Sequence, residues 1–149
     1  MLTDAYRVLG LDAVPVPDVL AVGWATVELD RAARELGAAL GVAFVAVEGS
    51  VHLGAACRRS VATVDGVHVV LLEPTTEGRL AATLARHAEG WAAAWLRDDD
   101  ATRQARSGGA RTNLSASRPG PFGPEQLLLG GVSSGPHRLL VSGATIGVP

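Results

Sequence analysis

The chain predicts an α+β fold: two βαβββ modules laid side by side as a cupped mixed sheet around a cavity. Three observations predict it. Strand-like and helix-like periodicities follow one another twice in the same order. The opening strand-like runs, around Ala21 and Ala93, lie about 72 residues apart, and the closing runs, around Val70 and Gly147, about 77 apart. Asp65-Gly66 stands between two strand-like runs, which is a strong hairpin signal.

The elements follow in order. Residues 1–18 read as a leader that Pro15 and Pro17 hold extended. Residues 19–27 are a short apolar run and read as a strand. Over residues 28–40 the period changes. Leu29, Ala32, Ala33, Leu36 and Leu40 share one helical face, and Gly41 stops the helix. Residues 42–48 read as strand-like or as a loop crossing the sheet, and 54–64 and 67–73 form the hairpin that Pro74 closes. A linking helix is expected over 76–88. The second module opens with a strand at 91–96 and continues with a helix that Asp98–Asp100 cap, running to about Arg106. Residues 110–116 are strand-like. Residues 117–136 read mostly as loop, extended at 125–129, and 137–141 and 144–148 form a last hairpin. The expected organisation is a leader (1–18), a first module (19–75), a linking helix (76–90) and a second module (91–149), all in one compact domain.

Composition narrows the function classes. The net charge is −2, so bulk electrostatics favour no nucleic acid partner. No apolar run reaches membrane-spanning length, and Met1–Arg7 lack a signal-peptide pattern, so no membrane partner and a cytoplasmic location are expected. Cys57 is the only cysteine, which excludes an internal disulfide. The thirteen cations are all arginine, and with the abundant Ala, Gly and Val they suggest a GC-rich, actinobacterial source.

Three stretches carry a family resemblance: Gly23-Trp24-Ala25-Thr26-Val27-Glu28-Leu29-Asp30, Val69-Val70-Leu71-Leu72-Glu73-Pro74 with the later Leu84-Ala85-Arg86-His87-Ala88-Glu89-Gly90-Trp91, and Pro121-Phe122-Gly123-Pro124-Glu125. The chain resembles the vicinal-oxygen-chelate superfamily of glyoxalases, dioxygenases and bleomycin-resistance proteins. The second stretch is similar to a pattern of its methylmalonyl-CoA epimerase-like members. In metal-using members each module supplies one ligand from its opening strand and one from its closing strand. Carried over, these positions fall on Ala21, Val70, Ala93 and Gly147, none of which offers a donor atom. The resemblance therefore implies a member without metal ligands, and no cofactor is expected.

Strand alternation predicts what the cavity holds instead. If Ala93 faces it, Trp91 and Trp95 do too, across from the small Ala21 and Gly23. His68 and Leu72 join Val70, and Thr145 joins Gly147. These residues would line a roomy apolar pocket with aromatic walls, suited to a flat ligand. Alternatively, Trp91 and Trp95 fill the volume themselves. Trp24, of opposite parity, is expected under the first helix. His68 is the candidate acid–base group, or a satisfied sheet histidine. His52, His87 and His137 show no partner. One of Arg58 and Arg59 is placed to meet an anionic ligand at the cavity mouth, or both lie on a solvated edge. Cys57 reads as a small buried filler.

The expected function is metal-independent binding of an aromatic or polyketide-like natural product, as in self-resistance to antibiotics, by a homodimer. The alternative is a metal-independent isomerase, cyclase or lyase of specialised metabolism that uses the same cavity. The sequence leaves open whether the modules pair within one chain or across a dimer.

Overall fold

The computed structural model describes residues 2–12, 18–98, 113–129 and 136–142. The chain begins with a helix, α1 (Thr3–Val8), and not with an extended leader. Leu2, Ala5 and Leu9 recur at helical spacing and bury themselves against the sheet, which is why this segment folds back. Pro15 and Pro17 fall outside the described residues.

β1 (Val19–Ala25) leads into α2 (Leu29–Leu40). The Glu28 side chain caps this helix by accepting from the backbone N–H of Asp30 and of Arg31. Gly41 ends it in the left-handed region at φ 70°, its N–H donating to the Gly37 carbonyl. β2 (Phe44–Ser50), β3 (Ala55–Ser60) and β4 (His68–Pro74) follow. The turn into β4 has positive φ at both Asp65 (53°) and Gly66 (82°), as a type I′ turn requires, between paired Val64 and Val67. α3 (Arg79–His87) links to β5 (Gly90–Asp98). The second module then supplies β6 (Asn113–Leu114), β7 (Glu125–Leu129) and β8 (His137–Ser142). The helix expected up to Arg106 and the strand expected at 144–148 lie outside the described residues.

The strands form one sheet in the order β2-β3-β4-β1-β5-β8-β7-β6. β1 pairs in parallel with β4, and β5 pairs in parallel with β8, so the two halves repeat one topology. The halves meet where β1 and β5 run antiparallel, which places the module pairing within a single chain. The second module therefore closes on β8. Ala93 stands opposite His137 just as Ala21 stands opposite His68. The position equivalent to Val70 is thus Leu139, and not Gly147.

Each face of the sheet carries its own core. The outer face packs Val22, Val69, Ala94, Leu96 and Leu140 against α1 and the end of α2. The inner face gathers Ala21, Ala25, Cys57, Val70, Leu72, Ala93, Trp95, Leu139 and Val141, with Leu80 of α3 over them. Two bulges interrupt the β1–β5 seam. Leu20 is the extra residue on β1 between Val19↔Leu96 and Ala21↔Trp95. Ala92 is the extra residue on β5 between Gly23↔Ala93 and Trp24↔Trp91. Each bulge resets the alternation of the side chains beyond it.

The burial of α1 gives a direct test. Leu9 is 1% exposed and Val8 is 51% exposed. Leu9→Ala is expected to cost about 2–5 kcal/mol in urea unfolding and Val8→Ala to stay within about 0.5 kcal/mol of the parent. Equal, small effects would mean that α1 contributes no core.

Candidate functional site

The inner face is built around Trp95. Its indole is fully buried, and its Nε1–H donates to Glu125 Oε1 at 2.9 Å. The other carboxyl oxygen, Oε2, accepts from the Ser50 hydroxyl at 2.7 Å. Ser50 Oγ also accepts from the Leu53 N–H. These contacts tie β5, β7 and the end of β2 together beneath the sheet. Two glycines make room for them. A Cβ on Gly23 would stand 2.8 Å from the Trp95 ring and 2.9 Å from Leu72, and one on Gly120 would run into the Glu125 carboxyl. Phe122 covers the indole edge-on, with ring centroids 5.8 Å apart.

This arrangement corrects the expected pocket. Ala21, Gly23, Val70, Leu72, Ala93 and Trp95 do come together, but all are buried. The indole fills the space that the small residues leave, so among the described residues this stretch encloses packed side chains and not a roomy cavity. Trp91 is not on this face at all. The Ala92 bulge turns it to the outer side, where it meets Trp24 edge to face at 5.1 Å. Thr145 and Gly147 lie outside the described residues.

The donor set does not suit a metal here. Ala21, Val70, Ala93 and Leu139 carry no ligating atom, and the Trp95 ring occupies the neighbouring volume. Among the described residues no three His, Cys, Asp or Glu side chains gather.

The titratable groups separate by environment. Burial pushes Glu125 up to about 7, against the two hydrogen bonds that favour its anion. His137 is buried with Nε2 2.9 Å from Thr83 Oγ1, and burial, helped by the Arg79 charge, lowers it to about 4. The partner that the sequence did not reveal sits on α3. His52 Nε2 lies 2.9 Å from the Ala116 carbonyl and 3.0 Å from Ser115 Oγ, pinning the segment before β7. Burial lifts the Cys57 thiol to about 12, consistent with an inert filler. His68 is half-buried on the inner face, with Nδ1 3.1 Å from the Ser60 carbonyl. Burial, with a smaller effect of Arg59, lowers its pKa.

An open groove lies elsewhere, at the end of the sheet between α1, α3 and the start of β5. Its volume is about 520 Å³, and Trp24, Trp91, Val8, His87 and Ala88 line it. The rim charges are paired: Asp4 with Arg7 at 2.8 Å, and Glu89 with Arg31 at 2.6 Å. Ala88 holds φ 63° and ψ −170°, a conformation that costs a residue with a Cβ about 1–3 kcal/mol. That turn takes the chain out of α3 and into the strand that presents Trp91.

Glu125 and His137 should bend the pH–stability profile in opposite directions. Folding raises Glu125 from its ordinary 4.5 to about 7, so this stability is full below pH 4.5 and is lost as pH rises towards 7. Folding lowers His137 from 6.5 to about 4, so its contribution is full above pH 6.5 and is lost as pH falls towards 4. Glu125→Gln is expected to remove the first slope and to gain on the order of 2 kcal/mol relative to the parent between pH 5 and pH 8. Denaturant melts at several pH values measure this. A constant difference across the range would mean that Glu125 is ionised in the folded protein.

No family model and no curated protein sequence matches the chain. Solved structures do. Methylmalonyl-CoA epimerase from Mycobacterium tuberculosis superposes with a TM-score of 0.68 at 22% identity, covering 85% of this chain and 88% of that one. The Streptomyces coelicolor methylmalonyl-CoA epimerase in complex with 2-nitronate-propionyl-CoA gives 0.65 at 23%, covering 89% and 98%. A hypothetical protein from Bacillus halodurans C-125 gives 0.67 at 14%, covering 88% and 97%. With the repeated parallel β1–β4 and β5–β8 pairing, these matches establish that the chain has the fold of the vicinal-oxygen-chelate superfamily.

Proposed function

We propose that this protein binds an aromatic or polyketide-like small molecule without a metal, and that the ligand sits in the Trp24–Trp91 groove. The groove itself carries the reading. Its volume of about 520 Å³ falls within the range of small-molecule sites, and two half-buried indoles form its wall. Because the rim charges are already paired, it suits a largely neutral, flat ligand. Similar structures hold small organic molecules, namely 2-nitronate-propionyl-CoA and methylmalonyl-CoA, which supports a ligand-binding use of the fold. In this reading the protein sequesters its ligand in the cytoplasm as a homodimer.

The alternative is a metal-independent isomerase, cyclase or lyase. One observation favours it: Glu125, near 7, has the proton affinity of a general acid–base group and bonds Trp95, while His68 stands against Phe122, which covers the same indole. Against it, the Glu125 carboxyl is fully buried and both its oxygens are already bonded.

Titration with planar aromatics such as naphthol and anthraquinones, followed by tryptophan fluorescence, tests the binding reading. Trp91→Ala is expected to weaken binding by about tenfold, the loss of one stacking wall and its buried area, and to abolish most of the fluorescence response. Val45→Ala, on the far edge strand, should leave both unchanged. Equal affinity in Trp91→Ala would remove the groove from the reading. Stoichiometric metal in protein purified without chelator would overturn its metal-free part.

A further inference from the structure

The two adjacent arginines of β3 part company. Arg58 stands opposite Leu71 and pairs with Asp30 of α2 at 2.5 Å, on the outer side. Arg59 stands opposite Val70 and shares the inner face with Cys57. Its Nε is buried and has no hydrogen-bond partner among the described residues. A guanidinium presents five donors and no acceptor, so leaving its Nε unpaired in a buried place is costly. The buried Glu125 carboxyl is bonded through both its oxygens to Trp95 and Ser50.

His68 lies beside it. On β4 it precedes Val70 by two residues, so the two side chains share a face and His68 sits diagonal to Arg59. Its Nδ1 is 3.1 Å from the Ser60 carbonyl, which assigns the proton to Nδ1 and leaves Nε2 for another partner. Phe122 stands against the imidazole at 6.1 Å and continues the apolar surface towards Trp95.

We propose that Arg59 and His68 form a subsite for the carboxylate of a small organic acid whose apolar body lies against Phe122. The Arg59 fork matches a planar carboxylate and would satisfy the orphaned Nε. One arginine with one neutral imidazole balances a single negative charge. A phosphate dianion in this apolar setting would be left under-compensated. The site is separate from the outer-face groove and stands or falls without it.

The group whose charge acts on His68 is Arg59 on β3, while β1 faces it with Ala21. A carboxylate bound beside the imidazole favours the imidazolium, opposite in sign to the effect of Arg59.

NMR of the His68 ring during titration with sodium benzoate and sodium butyrate, against sodium chloride at matched ionic strength, tests the subsite. The wild-type protein is expected to show a saturable carboxylate-specific shift and a rise of about one unit in the His68 pKa. Arg59→Gln should lose the saturable response. Arg59→Lys, which keeps the charge and loses the fork, should bind several-fold more weakly. Arg58→Gln should match the wild type. An undisturbed His137 resonance in each variant shows that the fold is intact. No saturable response in the wild type, or an equal response in Arg59→Gln, overturns the proposal.

Discussion

The hydrogen bond from the Trp95 indole to the buried Glu125 carboxyl organises the inner face of this sheet. A carboxyl at the centre of an apolar core is expensive unless its oxygens are bonded or it keeps its proton. Here both conditions contribute. Trp95 and Ser50 supply donors from two other strands, and burial holds the proton near neutrality. The indole must therefore stay where Glu125 can reach it, which requires Gly23 beneath the ring and Gly120 beside the carboxyl. Small residues along β1 serve this packing.

That constraint redistributes function over the molecule. In the shared fold, the space between the two modules is where the resemblance places metal ligands. Among the described residues the Trp95 indole fills it, and Ala21, Val70, Ala93 and Leu139 carry no donor atom. A groove lies open at the end of the sheet, where Trp24 and Trp91 meet, and Arg59 and His68 sit partly buried at the rim of the inner face. The two places differ in character. The groove is apolar with paired charges around it, whereas the rim holds a cation in want of an acceptor.

Much of the fold was legible because it depends on local pattern. The heptad-like spacing of Leu29 to Leu40, the stop at Gly41 and the Asp65-Gly66 turn each follow from residues within a few positions of one another. The repeat of strand and helix pointed to two modules of one topology. The first helix was missed, although Leu2, Ala5 and Leu9 carry its periodicity, because the two later prolines suggested an extended leader. The closing strand of the second module was expected at 144–148, whereas β8 holds the position equivalent to β4. Two apolar runs lie near the C-terminus, and only the parallel pairing with β5 identifies His137–Ser142 as the equivalent of β4.

By itself the sequence determined the alternation of elements and the doubled module, which are set by residue type and short-range spacing. Only the tertiary structure decided which indole faces which way. A bulge is one extra residue, and it shows only against the strand it pairs with, so strict alternation carried Trp91 to the wrong face. The Trp95–Glu125 bond, the His137–Thr83 contact and the buried Arg59 Nε were equally out of reach, because each depends on chain segments brought together by folding.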